Sequence, residues 1–394
     1  MNRTTLRSAF RTLHLWMGLG SGIVIFIVCL SGTIYTFRAE IERWVEPEKY
    51  YASGIDGKSI MTADSLIAKM ERNINGKLTS VMVPGDKSMN WQIGIKKNSN
   101  DPAAEDAPKS KTYFVNPYTA EIVGEPGGSA SEFFGTVMKL HRWLLLGDST
   151  GRIIVGIATL IMFFMVLTGL ILWFPAKIRN IKQGLKIKTS ANWKRLNHDL
   201  HNTLGFYSFI LLLIMTLTGL CWSFEWYRNG LSSVLGSKVF KGRTEKPMLS
   251  NEKMSANGQI SAAILLSEAN RHFSYEGNSR LSIPEDGKGV ITVTKSATGF
   301  FSVAGTDRIQ FDRFTGEVVN LESFKDKPMN ARIADSIKVI HTGEIFGTAS
   351  KIIYFLACLI ATSLPVTGTM IWLNKWKKKN KPVKMKWQNQ EELA

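Results

Sequence analysis

Cysteine is almost missing from this chain of 394 residues. The three present, Cys29, Cys221 and Cys358, are widely spaced with no CxxC pair, which excludes a disulfide framework. Acidic residues are scarce as well, 32 Asp and Glu against 49 Lys and Arg, leaving a net charge of +17. The most telling absence is charge of either sign in four stretches. Residues 12–37, 153–176, 200–224 and 352–374 contain no Asp, Glu, Lys or Arg. Each exceeds the roughly 20 residues that cross a bilayer as helix. Four such blocks in one chain exclude a soluble protein, and each cysteine falls inside a different block. No Ala-x-Ala site precedes Arg38, so the first block is read as an uncleaved span rather than a signal peptide.

The positive charge is present in short segments beside the apolar blocks. Arg3, Arg7 and Arg11 precede the first. Lys177, Arg179, Lys182, Lys186, Lys188, Lys194 and Arg195 lie between the second and third. Lys375, Lys377, Lys378, Lys379, Lys381, Lys384 and Lys386 follow the fourth. That distribution is the positive-inside pattern, suited to anionic lipid, and it argues against nucleic acid as a partner. The expected order is a cytoplasmic N-terminus (1–11), span one (12–37), an outside domain (38–140), span two (150–176) and a basic cytoplasmic loop (177–199). Span three (200–226), a second outside domain (227–340), span four (350–374) and a basic cytoplasmic tail (375–394) follow. In a bacterium this is a multi-pass inner-membrane protein with both termini in the cytoplasm and two periplasmic domains.

The two halves repeat each other. Leu13-His14 through Ser31-Gly32 matches Leu200-His201 through Thr218-Gly219, and Leu140-His141 through Thr168-Gly169 and Trp173 matches Ile340-His341 through Thr367-Gly368 and Trp372. Both copies enter the membrane in the same direction, a parallel repeat. The outside domains each open with a helical pattern, at residues 62–70 and 260–266, with Ser or Thr placed to cap it. Short alternating strands follow at 91–95 and 289–293. Each domain then closes on a hairpin signature, at 113–123 and 309–319. Each is expected to be a small α+β module, the first with a flexible insert at 96–110.

Four of the six histidines, His14, His141, His201 and His341, occupy repeat-related positions at span ends. Eighteen residues of helix rise about 27 Å, close to the hydrocarbon thickness. His14 and His201 are therefore expected at the cytoplasmic side, and His141 and His341 at the outer side. Two imidazoles from facing helices are what the axial positions of a six-coordinate haem require. The Ser/Thr-Gly pairs at the opposite ends of the helices are expected to leave room for a flat macrocycle, or simply to let helices pack closely. Zinc is the competing metal, but it needs more ligands than each pair supplies. Asp199 and Glu344 are placed as partners of the imidazole N–H groups. His198 stands three residues before His201 as a reserve ligand, a propionate partner or an incidental residue. His272 is read as structural.

The segments Leu13-His14-Leu15-Trp16-Met17-Gly18, Leu140-His141-Arg142-Trp143, Asp199-Leu200-His201-Asn202 and His341-Thr342-Gly343-Glu344 resemble those of the PepSY-associated transmembrane family. Its well-described members include inner-membrane ferric-siderophore reductases of the ferrioxamine type. The resemblance implies a four-helix membrane bundle built from a tandem helix–PepSY–helix repeat, with two periplasmic PepSY-like α+β domains. It also implies two b-type haems, ligated by His14/His201 and His141/His341. The expected activity is an oxidoreductase that reduces ferric siderophore to release ferrous iron, with no catalytic acid, base or nucleophile. The electron donor would be a cytoplasmic reductase or a membrane quinol, because the cytoplasmic segments carry no Gly-rich nucleotide fingerprint and are too short for a flavin domain. Rival readings are a haem cytochrome serving another periplasmic or quinone acceptor, a transporter, and a non-redox regulator of exported peptidases. Arg142 and Trp143, beside the outer ligand, are contacts for propionate or chelate, or interface anchors.

Overall fold

The computed structural model describes residues 3–97, 110–241, 248–250, 260–285 and 288–379. Most of the insert at 96–110 and most of the basic tail at 375–394 lie outside these. The chain runs through helices α1 (Arg3–Tyr35), α2 (Arg38–Val45), α3 (Pro47–Tyr50) and α4 (Ala63–Ile74) into strands β1 (Gly76–Val83), β2 (Trp91–Lys97), β3 (Lys111–Val115) and β4 (Ile122–Gly124). Helices α5 (Ser129–Trp143) and α6 (Asp148–Trp173) come next, then α7 (Ile181–Gly184), α8 (Trp193–Asp199), a π-helical segment (Leu200–Leu204) and α9 (Gly205–Ser223). The second half continues with α10 (Glu225–Leu235), α11 (Ala262–His272), β5 (Gly277–Ser282), β6 (Ile291–Ala297), β7 (Thr306–Phe311), β8 (Val318–Glu322), α12 (Met329–Thr342) and α13 (Gly347–Lys379).

Four helical stretches are long and apolar enough to cross a bilayer: Thr5–Tyr35, Asp148–Trp173, Trp193–Ser223 and Gly347–Lys377. This is a multi-pass membrane protein. The first and last of these helices extend past their charge-free blocks, so residues 3–11 continue α1 rather than forming a separate arm. The third stretch is interrupted by the π segment at 200–204. In α13, Pro365 removes one backbone donor, and the helix continues through it.

The chain divides into two compact units. One gathers the membrane-spanning parts, from residues 1–33, 141–217 and 356–394. Within it the repeat is expressed as helix pairs. Residues of α1 meet α6, where His14 reaches Thr168, and residues of the α9 stretch meet α13, where His201 reaches Thr367.

The other unit, residues 34–140 and 218–355, holds all eight strands. Two separate α+β modules were expected, but the strands instead form one sheet in the order β4-β3-β2-β1-β5-β6-β7-β8. The copies join edge to edge through β1 and β5, antiparallel, with Val81 opposite Leu281 and Ser80 opposite Ser282. The reason is that β1 and β5 would otherwise each present an open row of backbone donors and acceptors. The core is shared as well: Leu66, Ile67 and Met70 of α4 and Leu265, Leu266 and Ala269 of α11 pack with Val81, Ile93, Leu281, Val293 and Ile309 in one cluster. The expected caps are present, with Thr62 Oγ1 accepting from Ser65 N and Ser261 Oγ accepting from Ile264 N. Asp64 of α4 also reaches across the copies and accepts from Ala262 N (2.8 Å), at the start of α11.

Candidate functional site

Each of the four repeat-related histidines has its Nδ1 within hydrogen-bond distance of an oxygen on a facing helix. His14 Nδ1 lies 2.9 Å from Thr168 Oγ1, and His201 Nδ1 lies 2.9 Å from Thr367 Oγ1. The hydroxyl of Thr168 gives its proton to Phe164 O (2.8 Å), and that of Thr367 to Ser363 O (2.9 Å), each four residues back on its own helix. Having only one proton to give, each hydroxyl must accept from the imidazole. Nδ1 therefore carries the hydrogen in both rings, and Nε2 keeps its lone pair. His141 reaches the same state by a different route, because its Nδ1 is 2.8 Å from Val28 O, a carbonyl that can only accept. Ser31 Oγ is a longer neighbour at 3.4 Å. His341 Nδ1 lies 3.0 Å from Thr218 Oγ1, with the Trp222 ring 5.1 Å away.

Gly32 and Gly368, of the Ser/Thr-Gly pairs, make room for histidine rings. A Cβ on Gly368 would sit 3.1 Å from His201 Cε1, and one on Gly32 would sit 3.1 Å from His141 Cε1. At Gly169 the distance to His14 Cε1 is 3.4 Å, ordinary contact. So at His14 and His201 a threonine fixes the tautomer, and at His141 and His201 a glycine one step along the facing helix admits the ring. The sequence reading left these glycines open between room for a macrocycle and close helix packing, and Gly169 and Gly368 also line the cavity into which His14 and His201 open. It gave the imidazole partners to Asp199 and Glu344, and there the structure differs. Asp199 is buried against Arg195 (2.8 Å) and accepts from Lys188 N, while Glu344 pairs with Lys351 (3.5 Å) and Thr342. His272 pairs with Glu268 (3.1 Å) on the outer face of α11.

His14 and His201 open into one cavity of about 570 Å3 within the membrane-spanning unit. Its walls are Leu15, Leu19, Met162, Met165, Val166, Phe206, Phe209 and Leu364, with Gly169, Pro365 and Gly368 among the small or rigid residues. At one end lie Arg7, Arg11, His198 and Lys375, and among the described residues no Asp or Glu lines the cavity. Arg7 is committed to Phe174 O and Leu172 O (2.6 Å each) at the end of α6. Among the described residues, Arg11 and Lys375 have no carboxylate partner, and His198 has only Asp199 at 3.6 Å. Neither His14 Nε2 nor His201 Nε2 has a hydrogen-bond partner among them.

His201 is the second residue of the π-helical segment at 200–204. Such a one-turn widening re-aims a side chain relative to the helix on either side and is frequent at functional sites. Nothing in the periodicity of the sequence signals it. His141, on α5 in the membrane unit, precedes a junction in which Leu144 and Leu145 both adopt positive φ (52° and 60°), a strained arrangement for leucine. Next to it, Trp143 has a buried indole N–H with no acceptor among the described residues, and Arg142 lies 4.8 Å over its ring. His341, at the end of α12, belongs to the sheet-bearing unit. Among the described residues no three or more His, Cys, Asp or Glu side chains converge as a metal cluster.

No curated protein matches the chain. The family profile described as the PepSY-associated TM region matches residues 11–375. A match over that share of the sequence, with four spanning helices in place, assigns the chain to the family of the PepSY-associated TM region.

Proposed function

We propose that the chain carries electrons across a bacterial inner membrane on two b-type haems and reduces a ferric siderophore in the periplasm. In this reading both termini are cytoplasmic and the fused sheet is a pair of PepSY-like domains in the periplasm. The observation that supports it most is the pair His14 and His201. Both enter one apolar cavity with Nδ1 tied to threonine and Nε2 carrying the lone pair.

The residues fit a haem better than a bare ion. A haem would bring nitrogen donors of its own, so His14 and His201 would suffice as its protein ligands, whereas a zinc ion needs further side-chain ligands that these pairs lack. The cavity falls inside the roughly 300–1,000 Å3 typical of cofactor pockets. A haem bound there supplies reversible one-electron chemistry. The protein's own residues do the rest. Thr168 and Thr367 hold the rings in one tautomer and orientation. The leucines, methionines and phenylalanines of the wall exclude water, which raises the weight of every charge inside. Arg11 and Lys375, which have no acidic partners among the described residues, would hold the carboxylates of a haem. His141 and His341 are proposed as ligands of the outer haem on their repeat-related positions in the sequence. The orphaned Trp143 N–H is a ready donor to an acceptor at that level.

Ferric iron is the substrate. Reduction lowers its charge and its affinity for hard oxygen donors, so a siderophore releases it. The donor is a membrane quinol or a cytoplasmic reductase. The test is rapid mixing of dithionite-reduced protein in nanodiscs with a ferric hydroxamate siderophore and a ferrous-specific dye. Reoxidation of the protein matched by ferrous-dye formation is expected. Reoxidation by quinone alone, with the chelate inert, would replace the siderophore reading with that of a cytochrome serving another acceptor.

A further inference from the structure

Residues 298–305 join β6 to β7 without a single charged side chain. They leave Phe300, Phe301 and Val303 exposed at 53%, 76% and 56%. The two phenyl rings pack edge to face at 4.7 Å, so they brace each other rather than folding back on the sheet. Phe346, also more than half exposed, lies on the adjoining segment. In a soluble domain such a tip would be an unusual loss of apolar burial.

The loop is fixed to the start of a spanning helix. Ala304 N donates to Ile345 O (2.8 Å), and Phe300 O accepts from Ala349 N (3.1 Å) in the first turn of α13. The approach is so close that a Cβ on Gly347, itself at φ +65°, would lie 2.5 Å from Gly299 O and 2.8 Å from Phe300 O. The charge-free run of this helix starts at residue 352. Five residues of helix separate the pinning point from it, about 7 Å. The headgroup layer on one side of a bilayer is about 5–7 Å deep. The hydrogen bonds therefore tie the loop to α13 within about the depth of the headgroup layer, from which phenylalanine side chains can bury at the boundary with the acyl chains.

We propose that Phe300 and Phe301, with Val303 and Phe346, form a membrane-interface anchor whose partner is the lipid surface around the start of α13. The test places a nitroxide at Phe301→Cys in the full chain in lipid nanodiscs. Wild-type protein labelled in parallel accounts for Cys29, Cys221 and Cys358, and Asp56→Cys, in an exposed polar loop, is the water reference. Collision rates are measured with oxygen, which partitions into lipid, and with a water-soluble nickel chelate. The anchor predicts an oxygen-to-nickel ratio severalfold higher at 301 than at 56. Equal ratios would place the tip in water and overturn the proposal. Low rates for both reagents would show the tip covered by protein, by a second copy or a partner, and would overturn it equally.

Discussion

The hydroxyl of Thr168 has one proton and gives it to its own helix, so it can only accept from His14. Replacing it with valine keeps the shape and removes the acceptor. Thr168→Val and Thr367→Val are each expected to weaken haem retention by about 10–100-fold, the usual effect of losing a partner behind a ligating histidine, read by haem titration of the apoprotein. The glycines give a graded companion test. Gly368→Ala must displace the His201 ring, whereas Gly169→Ala meets His14 at ordinary contact distance; only the first is expected to shift the haem spectrum. A different residue, Tyr50, contributes to the alkaline pH dependence of the sheet-bearing unit. Burial, and then the charges of Glu42 and Glu46, push the Tyr50 phenol up to about 12. Its unfolded value is about 10. Stability from this group is therefore complete below about pH 10 and lost as pH rises through the folded value. In Tyr50→Phe that share of the alkaline loss should be missing when denaturant midpoints are compared across this range. The four histidines and their Ser/Thr-Gly partners were visible in the sequence because the repeat marks them. The division of labour between hydroxyl and glycine was not, because it depends on which helix faces which.

Among the elements, the spanning helices were the easiest to read: a bilayer core tolerates no unpaired backbone and few charges, so the signal is continuous over more than 20 residues. The helix-then-hairpin order of the outside domains was also legible, from the caps at Thr62 and Ser261 and the turn residues before β4 and β8. The fused sheet was not, because nothing in the alternation of β1 or β5 states which strand will cover its open edge. Two substitutions test this join. Leu281 is fully buried opposite Val81, and Leu281→Ala is expected to cost about 2–5 kcal/mol. Asp64 caps α11 from α4, so Asp64→Ala is expected to cost about 0.5–2 kcal/mol, while the same change at exposed Asp56 costs little. Denaturant unfolding of the full chain, followed by far-ultraviolet circular dichroism, measures both. Equal effects at Asp64 and Asp56 would mean that the cap contributes nothing. The π segment at 200–204 was equally hidden, since Leu200-His201-Asn202-Thr203-Leu204 reads as ordinary helix.

At the scale of the whole molecule, the excess of positive charge would have a second use in the proposed function, beyond the topology it implies. The basic ends of α1 and α13 place Arg11 and Lys375 on the lining of the cavity, which among the described residues has no Asp or Glu. Combined Arg11→Ala and Lys375→Ala is expected to weaken binding of haem but not of its dimethyl ester, which has no carboxylates; equal weakening of both would assign these residues to structure alone. The most direct measurement of the central claim is the visible spectrum of detergent-purified protein before and after dithionite, with haem content by pyridine haemochrome. The account predicts a b-type spectrum, with half of the haem lost in His14→Ala or His201→Ala and the other half in His141→Ala or His341→Ala. A colourless protein from haem-replete cells, or full haem content in all four variants, would contradict it.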